Sequence, residues 1–207
     1  FSYDRSGNVL ANSEHGVERF LYEDPVRRGL LTGIVMRDGL SNFPRRYDEA
    51  GRLVSDEQRA LLSYNVADRL TRVVMRDGFA QEMAYDVYGH RARIRGGAAG
   101  DLAQLRDVFD DLYEESAGER VMYVRGVGGI VASIRSSAGA QLREIWHHDP
   151  QGSLRFTTDP NGGVVRRHSY TSFGLELASL GANGAFIGKI GDPSIGLVQF
   201  GPRYYDP

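Results

Sequence analysis

The stretch YDRSGNVL at residues 3–10 returns as YDEAGRLV at 47–54 and as YDVYGHRA at 85–92. A worn copy, YNVADRLT, occupies 64–71 with Asp68 in the glycine's place, and Tyr22 in FLYEDP marks another. Successive tyrosines (3, 22, 47, 64 and 85) stand roughly 20 residues apart, the length of one β-hairpin unit.

The residues of the phrase explain its form. Asp at the first position of a type I turn accepts hydrogen bonds from backbone amides further on, and Gly three residues later tolerates positive φ. Asp4 and Gly7, Asp48 and Gly51, and Asp86 and Gly89 have this spacing. DPQG at 149–152 and DPNG at 159–162 repeat it, as Asp149 with Gly152 and Asp159 with Gly162. Their prolines add a φ already fixed near the turn value. Tyr3, Tyr47 and Tyr85 precede the turns on the entering strands. Stacked hairpins are expected to bring these rings into cross-strand pairs, each contributing roughly 0.2–1 kcal/mol. The apolar residues of NVLA and RLVS belong to the return strands, and GIVMRDG at 33–39 is echoed as RVVMRDG at 72–78.

One stretch departs from this pattern. DLAQLRDVFDDLYEES at 101–116 spaces Leu102, Leu105, Phe109 and Leu112 as a helix would, with Val108 and Tyr113 beside them. Asp101 and Gln104 resemble a capping box, and Gly118 suits a C-terminal cap. The spacing predicts one amphipathic helix inserted between strands, with Asp110, Asp111, Glu114 and Glu115 on its solvated face rather than around a metal. SDEQRALL at 55–62 also has a capping-box look, but it lies inside a tyrosine repeat and reads as strand.

Composition limits function. The 25 Lys and Arg nearly balance the 27 Asp and Glu, which argues against broad binding of nucleic acid or an anionic membrane. Without cysteine there is no disulfide, thiolate metal site or thiol nucleophile. No apolar run approaches the ~20 residues that span a bilayer. The 26 glycines and 11 tyrosines suit many short strands and tight turns.

Taken together, the phrases resemble the YD repeats of Rhs proteins, a family that includes bacterial polymorphic toxins, the C components of Tc toxins and animal teneurins. The stretch at 146–174, WHHDPQGSLRFTTDPNGGVVRRHSYTSFG, resembles the Rhs repeat-associated core. FIGKIGDPSIGLVQFGPRYYDP at 186–207 matches its most specific part, at Gly188, Lys189, Asp192, Gly196, Leu197, Phe200, Arg203, Tyr204, Tyr205, Asp206 and Pro207. The match favours the bacterial Rhs kind. It implies a mainly β protein, a YD-repeat hairpin ribbon forming part of a hollow shell, here with one inserted helix. The expected segments are hairpins over 1–99, the helix over 100–118 and the core segment over 119–207.

The resemblance further implies a structural role in a shell that encapsulates a C-terminal toxin before delivery. The implied partners are neighbouring segments of the same long chain, the enclosed toxin polypeptide and a secretion or delivery component. Type VI secretion and the Tc toxins are the implied routes, with a secreted, extracellular or cell-surface location. Both chain ends look cut, and the family's self-cleaving aspartyl protease segment is expected beyond residue 207. No catalytic residue, cofactor or metal is therefore expected. The alternative is an extracellular carbohydrate- or receptor-binding module.

Several residue groups invite other readings. In HHD at 147–149, adjacent histidines on a strand point to opposite faces and chelate one ion poorly. DPQG and DPNG superficially fit the family's self-cleaving Asp-Pro-x-Gly string, but their order in the chain makes them upstream turns. GVGG at 126–129 precedes a strand, and RGGAAGD at 95–101 lacks the spacing and the Lys-Ser/Thr of a phosphate loop. Tyr204 and Tyr205 read as cross-strand packing rather than a sugar platform.

Overall fold

The computed structural model describes residues 1–13, 16–38, 42–98, 101–109, 112–116, 118–178 and 184–207. Every regular element in them is a strand. Two compact units are present, residues 1–63 with 73–77, and residues 64–72 with 78–207.

The first unit begins with a hairpin of β1 (Ser2–Tyr3) and β2 (Val9–Ala11). A three-stranded sheet follows, of β3 (Val17–Leu21), β4 (Gly33–Met36) and β5 (Asn42–Pro44). β6 (Arg46–Tyr47) and β7 (Leu53–Ser55) form the next hairpin. Tyrosine hydroxyls bind backwards along this run. Tyr22 donates to the Val9 carbonyl at 2.9 Å and Tyr47 to the Leu31 carbonyl at 2.7 Å.

SDEQRALL is divided between turn and strand. Asp56 Oδ1 accepts the amides of Gln58 and Arg59, and the Arg59 guanidinium meets Asp56 Oδ2 at 2.6 Å. Both side chains are fully buried, and Arg76 donates twice to the Asp56 carbonyl. A buried pair of this kind is tolerable because the remaining polar valences of the carboxylate are also met.

An eleven-stranded antiparallel meander comes next. It runs in sequence order through β8 (Arg59–Tyr64), β9 (Leu70–Met75), β10 (Phe79–Tyr85), β11 (Arg91–Ala98), β12 (Asp101–Phe109) and β13 (Tyr113–Ser116). β14 (Glu119–Gly126), β15 (Gly129–Ser137), β16 (Ala140–His148), β17 (Leu154–Thr158) and β18 (Val164–Arg167) complete it. β18, which ends the sheet, is only four residues long and carries Arg166 and Arg167, two ways of blunting an edge.

The helix expected over 101–116 is replaced by β12 and β13. Residues 110, 111 and 117 of that stretch lie outside the described residues. β12 pairs with β11 from Ala98↔Asp101 to Arg93↔Asp107 and with β13 from Asp107↔Glu115 to Phe109↔Tyr113. A helix here would satisfy its own amides but leave β11 and β14 facing unpaired ladder groups, and sheet context overrides the local preference. Gly118, at φ 85°, serves a hairpin connection rather than a helix cap.

Beyond the meander, β19 (Ser169–Tyr170) pairs with β20 (Glu176–Ala178). A four-stranded sheet then follows, of β21 (Ala185–Phe186), β22 (Lys189–Asp192), β23 (Leu197–Phe200) and β24 (Arg203–Tyr205). It covers one face of the meander. Val121, Tyr123, Ile130, Trp146 and Leu154 pack there with Ala185 and Ile190 as one buried cluster. Tyr123 meets Trp146 edge-on at 5.9 Å, and the indole donates to Ser133 Oγ at 3.0 Å. The alternation in β14 separates buried Val121 and Tyr123 from exposed Met122 and Val124.

Replacing Arg59 with Met leaves a fully buried carboxylate without its cation. Arg59→Met is expected to destabilise the chain by about 3–5 kcal/mol, read as a shifted denaturant midpoint.

Candidate functional site

The turns share one geometry. Asp4, Asn65, Asp86, Asp149 and Asp159 each accept, through Oδ1, the amides two and four residues ahead at 2.8–3.1 Å. Asp48 accepts the Arg52 amide at 2.9 Å and its guanidinium at 2.7 Å. The fourth turn residue closes back on the first carbonyl at Gly7, Gly51, Asp68, Gly89, Gly152 and Gly162. These glycines have φ between 80° and 89°, and Asp68 adopts 59°.

A shift in strand register immediately precedes Asp4, Asp48, Asp86, Asp149 and Asp159, so each connection is a type I turn followed by a bulge. One more turn of this kind lies outside the Asp-x-x-Gly phrases. Thr171 Oγ1 accepts the Leu175 amide, and Gly174 at φ 95° closes the turn. Its Thr-x-x-Gly spacing, the same as Asp-x-x-Gly, was the available signal.

The tyrosines before these turns do not form the expected aromatic ladder. Arg27 lies over the Tyr47 ring at 6.0 Å and Arg69 over the Tyr85 ring at 5.5 Å. Tyr85 donates its hydroxyl to the Leu70 carbonyl at 2.6 Å. Burial, then the neighbouring Tyr204, pushes the Tyr85 hydroxyl well above its ordinary range, so it stays a neutral donor. Tyr3 is exposed.

The residues of the terminal signature converge on the meander. Ile187 and Gly188 form the two-residue turn between β21 and β22, at φ 50° and 71°. The Gly188 amide donates to the Gly152 carbonyl at 2.8 Å, and the Ile187 amide to Ser153 Oγ. Buried Asp192 accepts Gln81 Nε2 at 2.8 Å and lies 3.6 Å from Arg91. The Tyr204 hydroxyl meets Arg91 at 3.3 Å, the Tyr85 hydroxyl at 3.4 Å and Met83 Sδ at 3.3 Å. Tyr205 stacks on Phe186 and donates to the Phe173 carbonyl at 2.7 Å. Gly196, at φ 66°, follows the Asp192–Ile195 turn and leads into buried Leu197. Arg203 is exposed, whereas Asp206 and Pro207 are half-buried. Gln81 lies outside the repeated phrases, and Arg91 stands where the other copies carry Val9 and Leu53, so no recurrence marks either residue.

A half-open cavity of about 240 Å³ lies beside these strands, with Tyr170, Glu176, Phe186, Asp192, Leu197 and Pro207 in its wall. Its carboxylates are engaged. Glu176 contacts His168 Nδ1 at 2.6 Å and accepts the Gly184 amide. Burial, then the Glu176 charge, pushes the Tyr170 hydroxyl up, leaving it a neutral phenol and a poor nucleophile.

The HHD residues separate. His147 stacks on Phe156 and meets Thr158 Oγ1, while His148 lies against Trp146 and Asp149 holds its turn. Among the described residues no three His, Asp or Glu side chains are placed to hold a metal ion. Gly126 and Gly129 pair across a two-residue hairpin turn, and residues 95–98 lie in β11.

The family model for the teneurin YD-shell matches residues 1–207. No curated protein sequence matches the chain. Among solved structures, the TcdB2-TccC3-Cdc42 complex is similar in fold, with a TM-score of 0.63 at 15% identity over 91% of this chain. TcdB2-TccC3 gives 0.54 at 16% identity, also over 91%. The chain spans 11% and 12% of the lengths of those two chains.

Two predictions follow from the turn geometry. Gly51→Ala and Gly152→Ala force a Cβ into the left-handed region and should each cost about 1–2 kcal/mol in thermal or denaturant unfolding. Gly128→Ala, with φ outside that region and open space around it, should be nearly neutral. The second prediction concerns acid. Hydrogen bonds from the Arg52 amide and guanidinium hold the Asp48 carboxyl below its ordinary 3.8. Its contribution is complete above that value and is lost as pH falls through the lowered folded value. Asp48→Asn should therefore make stability less dependent on pH below about 4, measured by urea unfolding across pH.

Proposed function

The chain belongs to the teneurin YD-shell family, and from that premise we propose that it forms wall in a hollow β-shell that encloses a toxin polypeptide before delivery. The contrast between the two faces of the meander carries the proposal. One face is roofed by the terminal strands. The other presents exposed Met122, Val124, Ile145 and Val164, with half-buried Ala132, Ile134 and Phe156 among them.

Register makes this second face continuous across strands. Val124 lies opposite Ala132, Ala132 opposite Ile145, Ile145 opposite Thr158 and Thr158 opposite Val164. Met122 and Ile134 form the adjoining row, which exposed Arg143 continues, and exposed Arg167 lies opposite Phe156. An exposed apolar strip of this kind, bordered by arginines, marks an interaction surface. It suits an unfolded passenger, whose apolar side chains it contacts without demanding a particular sequence. The wall isolates the passenger sterically, and the apolar lining disfavours its compact state. On this reading the protein is secreted or delivered together with its passenger, and the wall performs no reaction. A carbohydrate platform is not favoured, because Tyr204 and Tyr205 are occupied by protein contacts.

Changing Met122, Val124, Ile145 and Val164 to Glu should preserve the fold, since all four are exposed. Binding of a fluorescent, permanently unfolded polypeptide should weaken by at least about tenfold. Equal binding by the parent and the variant would remove the passenger-facing role.

A further inference from the structure

Tyr170 stands before its turn as Tyr47 and Tyr85 stand before theirs, with Thr171 and Gly174 in the places of Asp48 and Gly51 or Asp86 and Gly89. At the two earlier turns an arginine from further back in the chain covers the tyrosine ring and reaches a carbonyl of the turn. Arg27 lies over Tyr47 and donates to the Asp48 carbonyl at 3.4 Å, and Arg69 lies over Tyr85 and donates to the Gly89 carbonyl. At the third turn Phe186 takes that place, lying against Gly174 and against Tyr170 with 5.7 Å between ring centroids.

This exchange of arginine for an aromatic ring gives the cavity of about 240 Å³ an unbalanced wall. Glu176 and Asp192 supply its charged side chains, and no lysine, arginine or histidine stands among the described residues of the wall. Asp192 is buried and already held by Gln81 and Arg91. Glu176 is placed differently. Its Oε1 turns to His168, but Oε2 takes only the Gly184 amide, at 3.3 Å, and 24% of the side chain remains open. A carboxylate oxygen has two lone pairs, so Oε2 has room for a stronger donor.

These features select a ligand. An open carboxylate without a cation in the wall excludes anions and attracts a positive charge. Phe186, Leu175, Leu197 and Val198 suit an aliphatic stem behind that charge. The cavity is smaller than the roughly 300–1,000 Å³ of sites for drug-sized ligands, so it suits one small group. The rings decide between the common cations. A planar guanidinium stacks on aromatic faces, is weakly hydrated and offers several N–H donors, whereas an ammonium is a strongly hydrated point charge.

We propose that this cavity binds a guanidinium group on an aliphatic stem, with Glu176 Oε2 as its acceptor and the rings of Tyr170 and Phe186 as its platform. The source is an arginine side chain of a separate polypeptide or a free alkylguanidine. The site shares no residue with the passenger-facing patch, so it does not rest on the wall reading and either proposal can fail without the other.

The test titrates the isotope-labelled chain with n-butylguanidinium, its neutral isostere n-butylurea and n-butylammonium, followed by amide NMR. n-Butylguanidinium should shift the Gly184, Gly191 and Gly196 amides saturably and leave Gly7 and Gly51 in place. n-Butylurea should bind at least about tenfold more weakly, and n-butylammonium more weakly than the guanidinium. Glu176→Gln keeps an acceptor of the same shape, so the fold should persist while affinity for n-butylguanidinium falls at least about tenfold. Tighter binding of an alanyl-arginyl-alanine peptide with blocked ends would assign the source to a polypeptide, and no gain over n-butylguanidinium would assign it to a free compound. Urea or ammonium binding as tightly as guanidinium, shifts spread equally over remote turns, or unchanged affinity in Glu176→Gln would overturn the proposal.

Discussion

A single carboxylate or amide oxygen that accepts two backbone amides is the interaction on which the rest of this structure depends. It closes the connections at Asp4, Asn65, Asp86, Asp149 and Asp159. In each turn it satisfies amides that the strands cannot reach, while the residue in the left-handed region reverses the chain. The register shift at the foot of the turn sets which face each later side chain occupies, because strands have a period of two. Face assignment in the meander thus descends from turn chemistry. Buried Trp146 and exposed Ile145 are neighbours in sequence, yet the register sends one into the core and the other onto the bare face.

Terminal strands fasten to the meander by polar contacts as much as by apolar ones. Asp192 needs Gln81 and Arg91, and Tyr204 needs Arg91, Tyr85 and Met83. An apolar seam alone would tolerate sliding, whereas buried hydrogen bonds penalise any position that leaves a partner unmet. This explains why the strands after a run of plain hairpins carry so particular a set of residues. The signature residues contact sites distributed along the meander, from Gln81 in β10 to Ser153 before β17.

Much of the fold was legible in the sequence because turn residues act locally. Asp and Gly at a fixed spacing need no tertiary partner to bend a chain, so the mainly β class and the hairpin ribbon could be read directly. The stretch at 101–116 misled because a few apolar residues fit both a 3.6-residue and a two-residue period, and the decision lay with β11 and β14, far outside any local window. The partners of Asp192 were equally unreadable. Gln81 and Arg91 are ordinary polar residues in strands, and only the three-dimensional approach of β22 gives them a role. The tyrosines show a milder version of this. Their place before the turn was visible, but not that the hydroxyl, rather than the ring, makes the recurrent contact.

Those hydroxyl bonds also imply an order of assembly. Tyr22, Tyr47 and Tyr85 reach carbonyls that lie 13, 16 and 15 residues earlier in the chain. Each closure involves a short loop of polypeptide that has already emerged when the tyrosine appears, so its entropic cost is small and does not grow as the chain lengthens. Low contact order of this kind favours rapid folding, and it lets hairpins set one after another as the chain emerges. The Gln81–Asp192 bond spans 111 residues and can form only when β22 arrives. Hairpins set early are thus locked only when β21 to β24 arrive, and a chain interrupted before them retains formed hairpins with that face of its meander still open.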